Sequence, residues 1–249
     1  MRLLVSVANG ADASAALAGG ADVIDAKDPL RGALGAVSPE ALRAIHAAVA
    51  GRRLVTAALG DADDETMIER DARVYTTAGA ALVKVGFAGI NDVGHVSALT
   101  AAAVRGARDG NGGVVAVAYA DAVRATSLAP GALVAVAARA GATGLLIDTA
   151  EKGGAGLRTL VARRVLAAWV SEAREAGLMV ALAGKLTADD LPFVRDAGAD
   201  IAGVRGAACD GGRSGRVSAD KVRLLRAVCD LLNGPPEGGH YVRDVPLRP

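Results

Sequence analysis

The chain has 249 residues, a formal net charge of +1, 52% hydrophobic residues and only 2% aromatic ones. That length suits one large domain, and the near-neutral balance leaves no basic footprint for nucleic acid. No uninterrupted apolar run approaches the ~20 residues that a membrane helix needs, so a soluble, cytoplasmic protein with a small-molecule partner is expected.

In chain order, residues 3–7 form an apolar run rich in β-formers, reached from Met1 without the features of a secretion signal, and residues 11–17 form an Ala-rich helix closed by Gly19 and Gly20. A second strand covers 22–26 and opens into a loop over 28–36, after which Ser38 caps a helix with Pro39 in its first turn that ends near Gly51. Residues 54–59 read as strand three, 64–78 as an amphipathic helix and 81–85 as strand four. Asn91 and Asp92 start a long helix that stops before the turn at 109–113, and strand five follows over 114–118 with Tyr119 and Asp121 at its mouth. A helix over 128–140, strand six over 144–147 and a polar loop over 148–154 lead into one helix over 157–176, stopped by Gly177. Strand seven covers 178–183, Thr187 and Asp190 have capping-box spacing for a short helix ending at Ala197, and strand eight covers 201–204. The last helix spans 218–232, and residues 233–249 lack apolar periodicity and read as a loosely held tail.

Eight strands alternating with eight helices predict an α/β fold, a single (β/α)8 TIM barrel over residues 1–232, because the count matches and no Gly-x-Gly-x-x-Gly follows strand one. In such a barrel function gathers where the strands end. Four turns of one construction feed strands with ionisable residues there. Residues 19–28 end in Asp25, Lys27 and Asp28; residues 78–86 carry Lys84; residues 140–148 end in Asp148; residues 197–206 end in Arg205 and Gly206. Strand side chains alternate faces, so Asp25 and Lys27 are expected on one side, an acid and an amine meeting at a strand tip.

A free lysine is almost wholly protonated at neutral pH, and becomes a nucleophile toward carbonyls when a neighbouring cation or an apolar pocket lowers its pKa. With two lysines in one mouth, Lys27 or Lys84 could form an imine while the other removes a proton; Asp25 and Asp148 would shuttle protons and hold the amines. Lys152 projects into the same mouth. Gly184 and Lys185 after strand seven, and Arg205, Gly206 and Ala207 after strand eight, lie where barrels commonly bind phosphate, with Asp121 at the mouth beside them. A phosphorylated carbonyl substrate follows. Cys209 and Cys229 lack metal-ligand spacing and the three histidines are scattered, so no metal site is expected. Two rivals remain open: another Schiff-base aldolase acting on a sugar phosphate, and a non-catalytic barrel that binds a phosphorylated metabolite.

As whole motifs, residues 3–7, 20–29, 32–36, 83–86, 119–121, 146–152, 181–184 and 203–209 resemble the (5-formylfuran-3-yl)methyl phosphate synthase family, also called 4-(hydroxymethyl)-2-furancarboxaldehyde phosphate synthase. The resemblance covers about residues 1–232 and implies a lyase that condenses two molecules of glyceraldehyde 3-phosphate into a furan aldehyde phosphate, with loss of water and one phosphate, in methanofuran-type one-carbon cofactor biosynthesis. No organic cofactor is implied. Lys27 matches the imine-forming lysine of the family and Lys84 its proton acceptor, while Asp25, Asp148 and Lys152 match further active-site positions. The oligomeric state is left open, a homo-oligomer included.

Overall fold

The computed structural model describes residues 1–233; the expected tail lies outside the described residues apart from Asn233. Eight parallel strands close into a barrel in sequence order: β1 (Arg2–Val7), β2 (Val23–Ala26), β3 (Leu54–Asp61), β4 (Leu82–Gly86), β5 (Gly113–Tyr119), β6 (Gly144–Asp148), β7 (Met179–Leu182) and β8 (Ile201–Val204), with β8 pairing back onto β1. Between them run α1 (Gly10–Ala18), α2 (Pro39–Val49), α3 (Glu65–Thr77), α4 (Val93–Asp109), the short α5 (Ala122–Ala125), α6 (Pro130–Ala140), α7 (Leu157–Leu160), α8 (Arg163–Glu175) and α9 (Leu191–Asp196). A hairpin of β9 (Cys209–Asp210) and β10 (Arg216–Val217) and the closing helix α10 (Ala219–Asn233) complete the described chain. No helix among the described residues is long and apolar enough to cross a membrane.

The helix starts follow local chemistry. Asn9, Ser38, Asp64 and Asp92 each sit in extended conformation ahead of α1, α2, α3 and α4, and each side chain accepts a backbone N–H of the first turn. One expected helix is two: residues 157–176 break at Val161, which is extended (φ −126°, ψ 122°). Leu157 and Val161 are both buried, so packing under the barrel rim overrides the continuous periodicity. The four-residue α5 and the two-residue strands of the β9–β10 hairpin are elements too short to show a periodicity in the sequence.

Strand alternation builds two cores. Outward residues such as Leu3, Val5, Val7, Ile24, Val83 and Ile147 pack against the helices, while Leu4, Val23, Leu82, Val115, Leu146, Ala181 and Ile201 fill the barrel interior. At the C-terminal end of β4, Gly86 leaves no room for a Cβ: one would collide with Asp61, with the Tyr119 hydroxyl that donates to Asp61 (2.7 Å), and with Leu34. The glycine lets the loop after β2 close over that side of the barrel.

One buried ion pair ties the two ends of the chain. Arg205 Nη1 donates to Asp12 Oδ2 of α1 (2.8 Å), and Asp12 Oδ1 accepts the Val217 N–H (3.0 Å). Both side chains are 5% exposed. Asp12→Ala leaves a guanidinium without its counter-charge and is expected to cost about 3–5 kcal/mol of stability. Urea unfolding checks this; a loss below about 1 kcal/mol, typical of a solvated pair, would contradict it.

Candidate active site

Asp25 lies inside the barrel, fully buried, with its register neighbours Ser6 on β1 and Thr56 on β3 on either side. Ser6 Oγ donates to Asp25 Oδ2 (2.8 Å), and Thr56 Oγ1 donates to Oδ1 (2.7 Å). Lys84 Nζ, from β4, reaches the same Oδ1 at 2.5 Å. Burying a carboxylate wholly out of water is costly unless its oxygens are hydrogen-bonded and paired, as they are here by these three donors.

Lys27 directly follows β2, and its N–H still bonds the Val7 carbonyl (2.9 Å), so the chain keeps its strand path and the side chain turns inward above Asp25. Asp25 and Lys27 do share a face, but the sequence reading paired them with each other and the structure does not. Asp25 pairs with Lys84, while Lys27 Nζ faces Asp148 Oδ2 at 4.0 Å. Residues two apart on one strand are separated by about 6.6 Å along it, whereas barrel closure points inward side chains of different strands at one another.

Asp148 ends β6 and is 1% exposed. Its Oδ1 accepts Lys152 Nζ (2.6 Å) and the Thr149 N–H (2.7 Å). Its Oδ2 has no hydrogen-bond partner among the described residues and is aimed toward Lys27. Burial alone would push this carboxyl up, but the charges of Lys152 and Lys27 and the hydrogen bonds from Lys152 and Thr149 outweigh it and hold the group below the usual carboxylate range.

Lys27 moves the other way. Burial is the main cause, the cations Lys84 and Lys152 add to it, Asp148 and Asp25 oppose it, and the net result brings the amine down to about 7. About half of the Lys27 side chains are then neutral at pH 7, against roughly one in two thousand for a lysine in water. Because the folded pKa lies below the unfolded one, burying the ammonium lowers stability at pH values below about 7, and the penalty fades as pH rises toward 10.4. Lys27→Met is therefore expected to be more stable than the parent at pH 6, by roughly 2–4 kcal/mol, with the gap closing toward pH 10. Urea unfolding at both pH values checks this, and a pH-independent difference would count against a depressed Lys27.

Two connected spaces meet at Lys27. The interior one is lined by Ser6, Asp25, Lys27, Thr56, Lys84 and Asp148 above apolar side chains, so both lysines face one cavity. The outer one, a cavity of about 290 Å³, opens at the C-terminal face and includes Lys27, Asp148, Lys152, Gly184, Lys185, Thr187, Arg205, Gly206, Ala207 and Arg213 among its walls. The expected catalytic residues are thus gathered at one end of the barrel.

The expected phosphate contacts divide. Gly184 and Lys185 follow β7 in left-handed conformation (φ +110° and +59°), and Lys185 Nζ donates to the Gly154 carbonyl across the cavity rim. Gly206 and Ala207 form a 3-10 turn on the wall. Arg205 lines the cavity, but its guanidinium is turned into α1, β1 and the hairpin. Asp121 lies apart: its carboxylate accepts the N–H groups of Ala150 (2.7 Å) and Glu151 (3.0 Å), which holds the loop that carries Lys152, and it lines a separate surface depression with Val123 and Arg124. Sequence reasoning passed over Ser6, Thr56 and Arg213. For the hydroxyls the signal was a polar residue at an inward position of an apolar strand; for Arg213 it was the Gly211-Gly212-Arg213-Ser214-Gly215 turn between two short runs.

The model of a family described as 4-HFC-P synthase matches residues 3–226. The chain is 38% identical over 234 residues to the (5-formylfuran-3-yl)methyl phosphate synthase of Methanocaldococcus jannaschii, covering 92% of this chain and 100% of that protein. Against the enzyme of the same name from Methanopyrus kandleri it is 39% identical over 234 residues, 93% of this chain and 98% of the relative. Among solved structures, 3-hexulose-6-phosphate synthase superposes with a TM-score of 0.61 at 24% identity, covering 92% of this chain and 99% of that one. KGPDC from Streptococcus mutans superposes with a TM-score of 0.65 at 16% identity, covering 94% and 99%; at such identities both likenesses bear on the barrel fold. A match that begins in β1, ends in α10 and takes in all eight strand ends makes this chain an enzyme of the 4-HFC-P synthase family.

Proposed function

We propose that the protein condenses two molecules of glyceraldehyde 3-phosphate into (5-formylfuran-3-yl)methyl phosphate through a Schiff base on Lys27, supplying the furan of methanofuran-type one-carbon carriers. The observation that carries this reading is the Lys27 amine, buried, brought down to about 7 and facing an ionised carboxylate oxygen that no hydrogen bond occupies. The shared name of the relatives, (5-formylfuran-3-yl)methyl phosphate synthase, supports the product, and the two-triose substrate rests on the family resemblance of the motifs that carry Lys27 and Lys84.

The neutral Lys27 amine attacks the triose carbonyl, and the carbinolamine loses water to give an iminium ion. Asp148 Oδ2 is placed to move protons during that step. The iminium acidifies the adjacent C–H, and Lys84, facing the same interior cavity, takes that proton on its amine after passing its own ammonium proton to the Asp25 carboxylate. The resulting enamine is the carbon nucleophile for the second triose. Elimination of phosphate and water, followed by hydrolysis of the imine, which takes back the water lost in forming it and frees Lys27, closes the balance: two trioses give one furan aldehyde phosphate, one inorganic phosphate and two waters. Proton transfer, dehydration and phosphate loss all draw on the same two amine–carboxylate pairs.

Glyceraldehyde 3-phosphate supplied alone is expected to yield a strongly ultraviolet-absorbing furan aldehyde together with free phosphate, followed by absorbance and identified by mass spectrometry. An aldol sugar phosphate as the sole product would replace this reading with an aldolase.

A further inference from the structure

Four cationic side chains line the outer cavity beside Lys27: Lys152, Lys185, Arg205 and Arg213. Three are engaged by the protein. Lys152 donates to Asp148 (2.6 Å) and Thr149 (3.3 Å), and Lys185 donates to the Gly154 carbonyl. Arg205 uses Nε for the Arg213 carbonyl (3.0 Å), Nη1 for the Ser6 carbonyl (2.9 Å) and Asp12 (2.8 Å), and Nη2 for the Gly215 carbonyl (2.7 Å). Its guanidinium therefore has a protein acceptor on every nitrogen.

Arg213 differs. It is half-buried on the loop joining β9 to β10, and the single hydrogen bond of its side chain among the described residues runs from Nη2 to the Gly32 carbonyl (2.6 Å). Nε and Nη1 keep N–H groups without an acceptor among the described residues, on a side chain that forms part of the cavity wall. The loop stands against the end of β8, for a Cβ on Gly206 would lie 3.5 Å from the Arg213 backbone N. Arg213 is also near enough to Asp148 for the carboxylate charge to act on it.

We propose that Arg213 binds a phosphate group of the substrate, and that Arg205 is the positioning residue that holds the loop of Arg213 in place through the carbonyls of Arg213 and Gly215. The proposal rests on the phosphorylated-triose reading above. A guanidinium presents its N–H groups as a planar fork that matches phosphate oxygens in pairs, which an ammonium cannot do. A condensation of two phosphorylated molecules needs anion contacts beyond the imine-forming amine, and Arg213 is the guanidinium at this mouth with N–H groups to offer, whereas those of Arg205 are taken up.

The test uses inorganic phosphate, titrated by calorimetry into the intact protein and followed without turnover. The parent is expected to bind phosphate, Arg213→Ala to bind it about tenfold or more weakly, Arg213→Lys to fall between, and Arg216→Ala, an exposed arginine on β10, to match the parent. In the absorbance assay Arg213→Ala should raise KM for glyceraldehyde 3-phosphate by a larger factor than it lowers kcat. Arg205→Lys should lower the melting temperature and, measured well below it, weaken phosphate binding as well. Absence of phosphate binding by the parent, or equal binding by Arg213→Ala, overturns the assignment of Arg213; unchanged phosphate affinity in Arg205→Lys overturns the positioning role. Because binding is read without chemistry, failure to form the furan would fall on the proposed reaction and not on this site.

Discussion

Replacing Lys27 with arginine is expected to lower turnover by on the order of 10³-fold or more and to abolish the covalent adduct that borohydride fixes on the parent enzyme in the presence of glyceraldehyde 3-phosphate. Arginine keeps the positive charge beside Asp148 but stays protonated at any working pH, so it offers no neutral amine. The parent amine is poised by burial first and by Lys84 and Lys152 next. Peptide mass spectrometry reads the adduct directly on the segment that contains Lys27. The rate of adduct formation in the parent should climb through pH 7 as the ammonium loses its proton, then level off. A Lys27→Arg enzyme with near-parental turnover, or an adduct found on a different lysine, would remove Lys27 from the mechanism.

The second large effect concerns Lys84. Lys84→Met is expected to reduce turnover about 10²- to 10⁴-fold, the usual contribution of a placed proton acceptor, while leaving borohydride trapping at Lys27 in place. Trapping should move to higher pH, because the Lys84 charge is one of the causes that lower the Lys27 pKa. Removing this cation also strands Asp25, which keeps its Ser6 and Thr56 hydroxyls but loses its only ion-pair partner among the described residues. A stability loss of about 3–5 kcal/mol is expected for that reason. Pairing the change with Asp25→Asn removes the stranded charge and should recover most of the stability without recovering activity. That double variant separates the chemical role of Lys84 from its part in folding; recovery of both properties together would argue that Lys84 is purely structural.

The positions of the two lysines were readable because strands carry a two-residue period. Gly20-Ala21-Asp22 and Gly79-Ala80-Ala81 stop a helix and start a strand, and counting from those turns puts Asp25, Lys27 and Lys84 on the inward face. Partners were not readable. The Asp25–Lys84 and Lys27–Asp148 contacts join residues far apart in the chain, and only closure of the sheet brings them within reach. Arg205 shows the same division from the other side. Its place after β8 matches a common phosphate site, yet Asp12, the Ser6 carbonyl and the hairpin carbonyls take up its donors, all supplied by segments at opposite ends of the chain.

The amino-acid order by itself therefore determined the eightfold alternation, the helix starts at Asn9, Ser38, Asp64 and Asp92, and the end of the barrel at which ionisable groups project, since each depends on neighbours a few residues away. Tertiary structure alone decided which carboxylate holds which amine, that Arg213 rather than Arg205 has donors without a protein acceptor among the described residues, and that burial lowers the pKa of Lys27. Those properties depend on distance and dielectric between strands, and both are set only when the barrel closes and water leaves its interior.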